Sequence, residues 1–205
     1  MKKYVFLISL FLLFSFQGFT QLLFEKGYFI TNEDERIECL IKNGNWINTP
    51  VKFIYKSTKS SKKEEAVIDS VKEFGINDFS RYIRYTVEVD TSTDDLDDMS
   101  FEMEPLFETR TIFLRAILLG ETSLYGYRSK GLIRYYIKRE GVQPEPLVFK
   151  SYKTSAKRFK YNTKYKQQLF SYLKCPGLSF KLFGNVDYNE RELLELFIKY
   201  YNCKK

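Results

Sequence analysis

Apolar and polar residues alternate in strand fashion through most of the chain and change to helical spacing near its end. Residues 27–31 and 36–42 predict a hairpin closed by the polar turn 32–35. Ile37, Cys39 and Ile41 share one face of its return strand. Asn43-Gly44-Asn45 marks the next turn. Residues 51–56 place Val51, Phe53 and Tyr55 on one face, 57–65 is charged and reads as a loop, and 71–76 predicts a strand. In 81–90, Ile83, Tyr85, Val87 and Val89 point inward while Arg84, Thr86 and Glu88 point outward. Residues 110–119 carry Ile112, Leu114 and Leu118 on one face and Phe113, Ile117 and Leu119 on the other, which predicts a central strand covered on both sides. A further hairpin is expected over 124–127 and 132–139, with Ile133, Tyr135 and Ile137 buried. Residues 147–152 fit either a strand or a helix start.

The period then changes. In 163–174, Tyr165, Leu169, Tyr172 and Leu173 form the stripe of an amphipathic helix, stopped by Cys175-Pro176-Gly177. A short extended piece is expected over 178–182. Asn189 predicts the cap of a second helix, with Glu192 three residues on as in a capping box. Leu193, Phe197, Tyr200 and Tyr201 face the core of that helix; Arg191, Glu195 and Lys199 form its polar side. The expected fold is α+β: an antiparallel sheet, as a meander or a partly open barrel, followed by two C-terminal helices. Residues 21–205 make one domain.

The first twenty residues stand apart. Lys2 and Lys3 precede a thirteen-residue apolar run, 4–16, and Gly18 and Thr20 are small enough to flank a cleavage point before Gln21. This is the layout of a secretory signal peptide over residues 1–20. The alternative is an uncleaved anchor, since Leu22, Leu23 and Phe24 add apolar length. The expected location is exported, in the periplasm or associated with the outer membrane. No segment after the leader is long and apolar enough for a transmembrane helix.

Export changes the reading of the composition. Without Lys2 and Lys3 the 33 basic residues become 31 and the net charge falls from +7 to +5. Histidine is absent, which excludes Ser-His-Asp and Cys-His catalysis, histidine-liganded zinc and a histidine pH switch. Of three cysteines, Cys39 reads as a small core residue, and an oxidising compartment permits a disulfide between the other two. Cys175 and Cys203 flank the final helix and are expected to pair; the alternative is two reduced, buried thiols.

Several short motifs carry a resemblance. They are Gly27-Tyr28-Phe29-Ile30, Asn45-Trp46, Phe113-Leu114, Leu119-Gly120, Ser123-Leu124-Tyr125, Cys175-Pro176 and Tyr200-Tyr201-Asn202. On these the chain resembles an uncharacterised group of exported domains from Bacteroidetes-type Gram-negative bacteria, some of which precede an outer-membrane β-barrel. The resemblance implies a cell-envelope location and brings no catalytic residue. Cys39 stands where the group would lead one to expect a small residue such as glycine.

Two segments of opposite charge are the candidate binding surfaces. Between Arg128 and Lys166 lie twelve basic and two acidic residues. The densest part is Lys150, Lys153, Lys157, Arg158, Lys160, Lys164 and Lys166, interleaved with Phe149, Tyr152, Phe159, Tyr161 and Tyr165. Such a surface suits an anion: a lipid headgroup, an envelope polysaccharide or a nucleic-acid phosphate, the last disfavoured by export. The bland alternative is a solvated face whose aromatics turn inward. Residues 88–108 hold nine carboxylates and no basic group. Asp94, Asp95, Asp97 and Asp98 suggest Ca²⁺, but Asp95 and Phe101 occupy the places where an EF-hand loop needs glycine and glutamate. This segment is expected to be a solvated loop or to pair with the basic segment of the same or a neighbouring molecule.

No catalytic constellation emerges. A glycan hydrolase working through two carboxylates remains an alternative, yet Glu38, Glu73 and Glu88 sit at outward strand positions. Ser129-Lys130, Ser151, Ser155 and Lys157 match no Ser-Lys spacing. No cofactor is expected. Trp46, the sole tryptophan, reads as packed on the sheet rather than exposed to a ligand. The functional expectation is a non-catalytic envelope domain binding a protein partner or an anionic envelope component, with oligomeric state open.

Overall fold

The computed structural model describes residues 23–93, 95, 97–154 and 158–205. The leader expected over 1–20, Asp94, Ser155 and Lys157 lie outside the described residues. Ten strands form one antiparallel sheet: β1 Phe24–Thr31, β2 Arg36–Lys42, β3 Lys52–Lys56, β4 Glu64–Val67, β5 Val71–Ile76, β6 Ser80–Asp90, β7 Phe107–Leu118, β8 Thr122–Ser129, β9 Leu132–Arg139 and β10 Glu145–Pro146. Their order is β10-β9-β8-β7-β6-β5-β1-β2-β3-β4, two meanders joined where β1 pairs with β5. Strands β11 Lys150–Lys153 and β12 Phe159–Asn162 make a separate antiparallel pair. Helices α1 Lys164–Tyr172, α2 Phe180–Gly184 and α3 Glu190–Cys203 follow. The fold is therefore α+β with an open sheet and C-terminal helices.

Register separates two faces of the sheet. On one, Phe29, Cys39, Ile41, Phe53, Phe74, Tyr82 and Phe113 form a core. On the other, Val87, Val89, Ile112, Leu114, Tyr125, Tyr127 and Tyr136 form a second. Phe113 and Leu114 are adjacent in β7 and almost wholly buried on opposite faces, as a strand apolar on both sides requires.

Neither face is flat. Phe53 of β3 and Phe74 of β5 lie three strand spacings apart in the sheet, about 14 Å if it were planar. Their rings nevertheless stack with centroids 4.3 Å apart. The β1–β5 half thus curls around the first face. Across the opposite face, Tyr136 of β9 donates its hydroxyl to the Glu88 carbonyl of β6 at 3.2 Å, again three spacings away.

Arg134, one pleat along β9, makes the same crossing. Its Nε–H donates to Asp90 O (3.1 Å) and its Nη2 to Ser92 O (2.6 Å). Nε also lies 3.0 Å from Asp90 Oδ2, with both side chains some 95% or more buried. Because that N–H points at the carbonyl, this carboxylate oxygen receives charge without a hydrogen bond. The sheet is consequently S-shaped in section.

The helices cover the first face over β8 and β9. Leu124, Tyr135 and Ile137 meet Tyr165, Leu169, Phe183, Leu193, Leu196, Phe197 and Tyr200. Asn189 caps α3, accepting from Glu192 N–H at 3.0 Å. Glu192 closes its side of the box on Asp187 N–H (2.7 Å) instead of on the cap residue itself. At the far end, Tyr201 bonds both the N–H (2.9 Å) and the C=O (2.7 Å) of Thr122. A Cβ on Gly120 would come within 2.3 Å of that hydroxyl oxygen, so a larger residue there would have to displace Tyr201 from Thr122. Cys175 and Cys203 are disulfide-bonded, with Cα atoms 6.3 Å apart.

Local expectations fail where burial overrides pattern. Val51 is exposed, one residue before β3 begins, although its carbonyl still accepts Ile68 N–H from just past the end of β4. Within the expected loop 57–65, Glu64 and Glu65 begin edge strand β4, which buries only Ala66 and so shows no apolar alternation. Residues 178–182 do not extend: α2 forms and buries Phe183. Ile133 is exposed rather than buried. Tyr82, on the supposedly outward side of β6, is buried because the sheet is covered on both faces.

Three stability tests follow from this packing. Arg134→Ala strands the buried Asp90 charge and should cost about 3–5 kcal/mol, read as a lower urea midpoint at unchanged slope. Arg134→Lys should recover only part, since one ammonium lacks the guanidinium's spread of donors. Replacing Cys175 and Cys203 by serine opens a 28-residue link and should cost about 3 kcal/mol, with unreduced peptide mapping confirming the linkage in the parent. Cys39 is free and buried, and burial, with a smaller contribution from Glu38, pushes its thiol from 9.0 up to about 11. The folded chain holds this proton more tightly than the unfolded chain, so the thiol's contribution is whole below pH 9 and is lost as pH rises toward about 11. Cys39→Val should remove that part of the alkaline decline, measured by denaturation across pH 8–11.

Candidate functional site

A cleft of about 360 Å³ opens on the first face, between the curled β1–β5 half and the helices. The loop between β2 and β3 supplies Trp46 and Thr49, the start of β6 supplies Ser80 and Tyr82, β7 and β8 supply Arg115 and Arg128, and Glu190 opens α3. The loop is held in place by β8: Thr49 N–H donates to Arg128 O (2.8 Å), and Thr49 Oγ1 accepts from Arg128 N–H (3.0 Å). Trp46 stands edge-on to the stacked rings of Phe74 and Tyr82, with centroids 5.7 and 5.6 Å away. It therefore packs, as expected, and also lines the cleft. Gly126, directly opposite Arg115 in the β7–β8 ladder, contributes no side chain to the floor.

The charges converge on one carboxylate. Arg115 Nη2 bonds Glu190 Oε2, and Arg128 Nη2 lies 3.6 Å from the same oxygen. The Arg115 and Arg128 side chains line the cleft and are 34% and 45% exposed, and Arg128 also bonds the Tyr135 hydroxyl. Two cations against one anion leave the cleft net positive. Burial raises the Tyr82 phenol above its ordinary value, with Arg115 opposing. Burial and then Glu190 raise that of Tyr135. Both phenols stay protonated and can donate. The Ser80 hydroxyl oxygen is buried and has no hydrogen-bond partner among the described residues.

The Glu190 carboxylate is engaged by two guanidiniums, and no hydrogen-bond partner reaches Ser80 Oγ among the described residues. The strand carboxylates Glu38, Glu73 and Glu88 each have other partners. Glu38 is exposed and bound to Arg36, and Glu88 is exposed and accepts from Thr109. Glu73, expected outward, is instead buried, taking the Tyr28 hydroxyl at 2.6 Å and Arg81 Nε at 2.8 Å. It pairs with a cation and a phenol rather than facing a second carboxylate.

The basic segment does not assemble into one surface. Lys150 is buried and donates to Glu104 O (2.6 Å), Lys153 donates to Asp97 O (3.1 Å), and Lys166 donates to Gly184 O (2.6 Å). Arg158, Lys160 and Lys164 are exposed, and Lys157 lies outside the described residues. The acidic segment does lie against the basic one within the same chain. The contact runs through main-chain carbonyls, however, and the carboxylates of Asp95, Asp97, Asp98, Glu102 and Glu104 make no ion pair among the described residues. No group of three metal-ligating side chains converges among the described residues.

Arg115, Arg128, Glu190 and Ser80 escape a reading of the sequence because they are far apart along the chain and belong to no motif. Gly126 within a strand is the single local hint that something approaches the sheet there. No family model, curated protein or solved structure matches the chain.

Proposed function

We propose that this chain is a non-catalytic binding domain exported to the cell envelope, and that the cleft holds an anionic envelope component. One observation carries the reading: Arg115 and Arg128 share the single carboxylate of Glu190 at the mouth of an aromatic-lined cleft, leaving guanidinium donors unspent. Guanidinium forks are suited to carboxylate and phosphate. Export is supported by the charged and apolar leader pattern and by the Cys175–Cys203 bond, which belongs to oxidising compartments. The resemblance to exported envelope domains points the same way. No helix among the described residues is long and apolar enough to cross a membrane.

Protein recovered from the envelope fraction should begin at Gln21, as read by N-terminal sequencing; an intact Met1 would refute cleavage. Immobilised acidic envelope polysaccharide should retain the wild-type chain, and Arg115→Gln/Arg128→Gln, checked for native circular dichroism, should lose at least tenfold in affinity. Equal retention of both proteins would overturn the assignment of the cleft.

A further inference from the structure

We infer that Glu190 is a built-in competitor for the ligand, and that the ligand group it mimics is the carboxylate of a single acidic sugar ring. This deepens the preceding proposal and rests on it. Four observations support the inference.

First, the two arginine contacts are unequal. Arg115 binds Glu190 closely, whereas Arg128 stands off at 3.6 Å. Arg128 is thus the guanidinium that an incoming carboxylate can take while Arg115 keeps Glu190. Second, Glu190 occupies the first turn of α3, where a carboxylate is favoured by the helix N-terminus. Released from Arg128, it still has a stabilising place. Third, about 360 Å³ lies at the small end of ligand pockets, which suits one ring rather than a chain. Fourth, the lining pairs apolar rings (Trp46, Phe79, Tyr82) with a buried hydroxyl, Ser80 Oγ, that has no partner among the described residues. A sugar offers both complements, an apolar C–H face for the rings and hydroxyls for Ser80.

The competitor role has an unusual sign. Removing a charged residue from the site should raise affinity, because the guanidiniums no longer have an internal partner. A merely structural Glu190 would lower it.

The only tryptophan lines the cleft, so occupancy can be read directly from its emission. The experiment titrates the full exported chain with galacturonate, with neutral galactose, and with galactose 1-phosphate, following Trp46 fluorescence. Galacturonate should shift the emission and galactose should not. Glu190→Gln should bind galacturonate roughly tenfold tighter and Arg128→Gln roughly tenfold weaker, with native circular dichroism in both. Unchanged or weaker binding by Glu190→Gln overturns the competitor role. Equal response to galactose overturns recognition of the acid. Response to the phosphate alone overturns the carboxylate assignment. If no sugar shifts Trp46 while acidic polysaccharide is still retained through the two arginines, the single-ring inference fails and the binding function stands. If polysaccharide retention ignores the arginines, the function itself fails.

Discussion

The fold depends on a strand, β7, whose middle is apolar and buried on both faces. Phe113 and Leu114 in β7 must be removed from water on opposite sides of the same sheet, and the three helices cover only part of one side. The sheet supplies the remaining cover itself. Its β1–β5 half bends over the first face until Phe53 stacks on Phe74. Its β6–β9 half bends over the second until Tyr136 and Arg134 reach the backbone of β6. Buried aromatics bring large apolar area to this arrangement. The Arg134–Asp90 contact serves a different end, since a buried ion pair adds little net stability but is costly to break. Its contacts with the Asp90 and Ser92 carbonyls hold the crossing of the two strands in one geometry.

The cleft is a by-product of that solution. Two different covers protect the first face, the curled half-sheet and the helical layer, and the cleft opens between them. Polar contacts flank it: Thr49 bonds Arg128 of β8 through its N–H and its Oγ1, and Arg115 of β7 pairs with Glu190 of α3. The same carboxylate therefore ties α3 to the sheet and occupies the guanidiniums that a ligand would use. In the proposed reading, structure and recognition draw on one interaction.

The short motifs that stand out in the sequence prove mostly architectural. Gly120 leaves room for the Tyr201 hydroxyl, and Ser123 bonds the Gly120 carbonyl and N–H, so Leu119-Gly120, Ser123-Leu124-Tyr125 and Tyr200-Tyr201 describe one docking of α3 onto β8. Gly27 allows β1 to approach Gly75 of β5, where a Cβ would lie 2.3 Å from the carbonyl oxygen. Asn45-Trp46 alone touches the cleft.

By itself the sequence determined the strands with clear period-two patterns, the helical stripe and cap at Tyr165, Leu169 and Asn189, and the two-sided burial at the centre of β7; it made Cys175 and Cys203 the expected pair, with reduced thiols as the alternative, and the structure joins them. Those features depend on neighbours within a few residues or on elimination among three cysteines. Tertiary structure decided the rest. Whether Glu73 is solvated or buried depends on Tyr28 and Arg81, and whether Lys150 is a binding cation or a structural donor depends on Glu104, 46 residues away. The cleft is the extreme case. Arg115 and Glu190 are 75 positions apart, and nothing in local periodicity encodes a meeting that exists only because the sheet folds over itself in two directions.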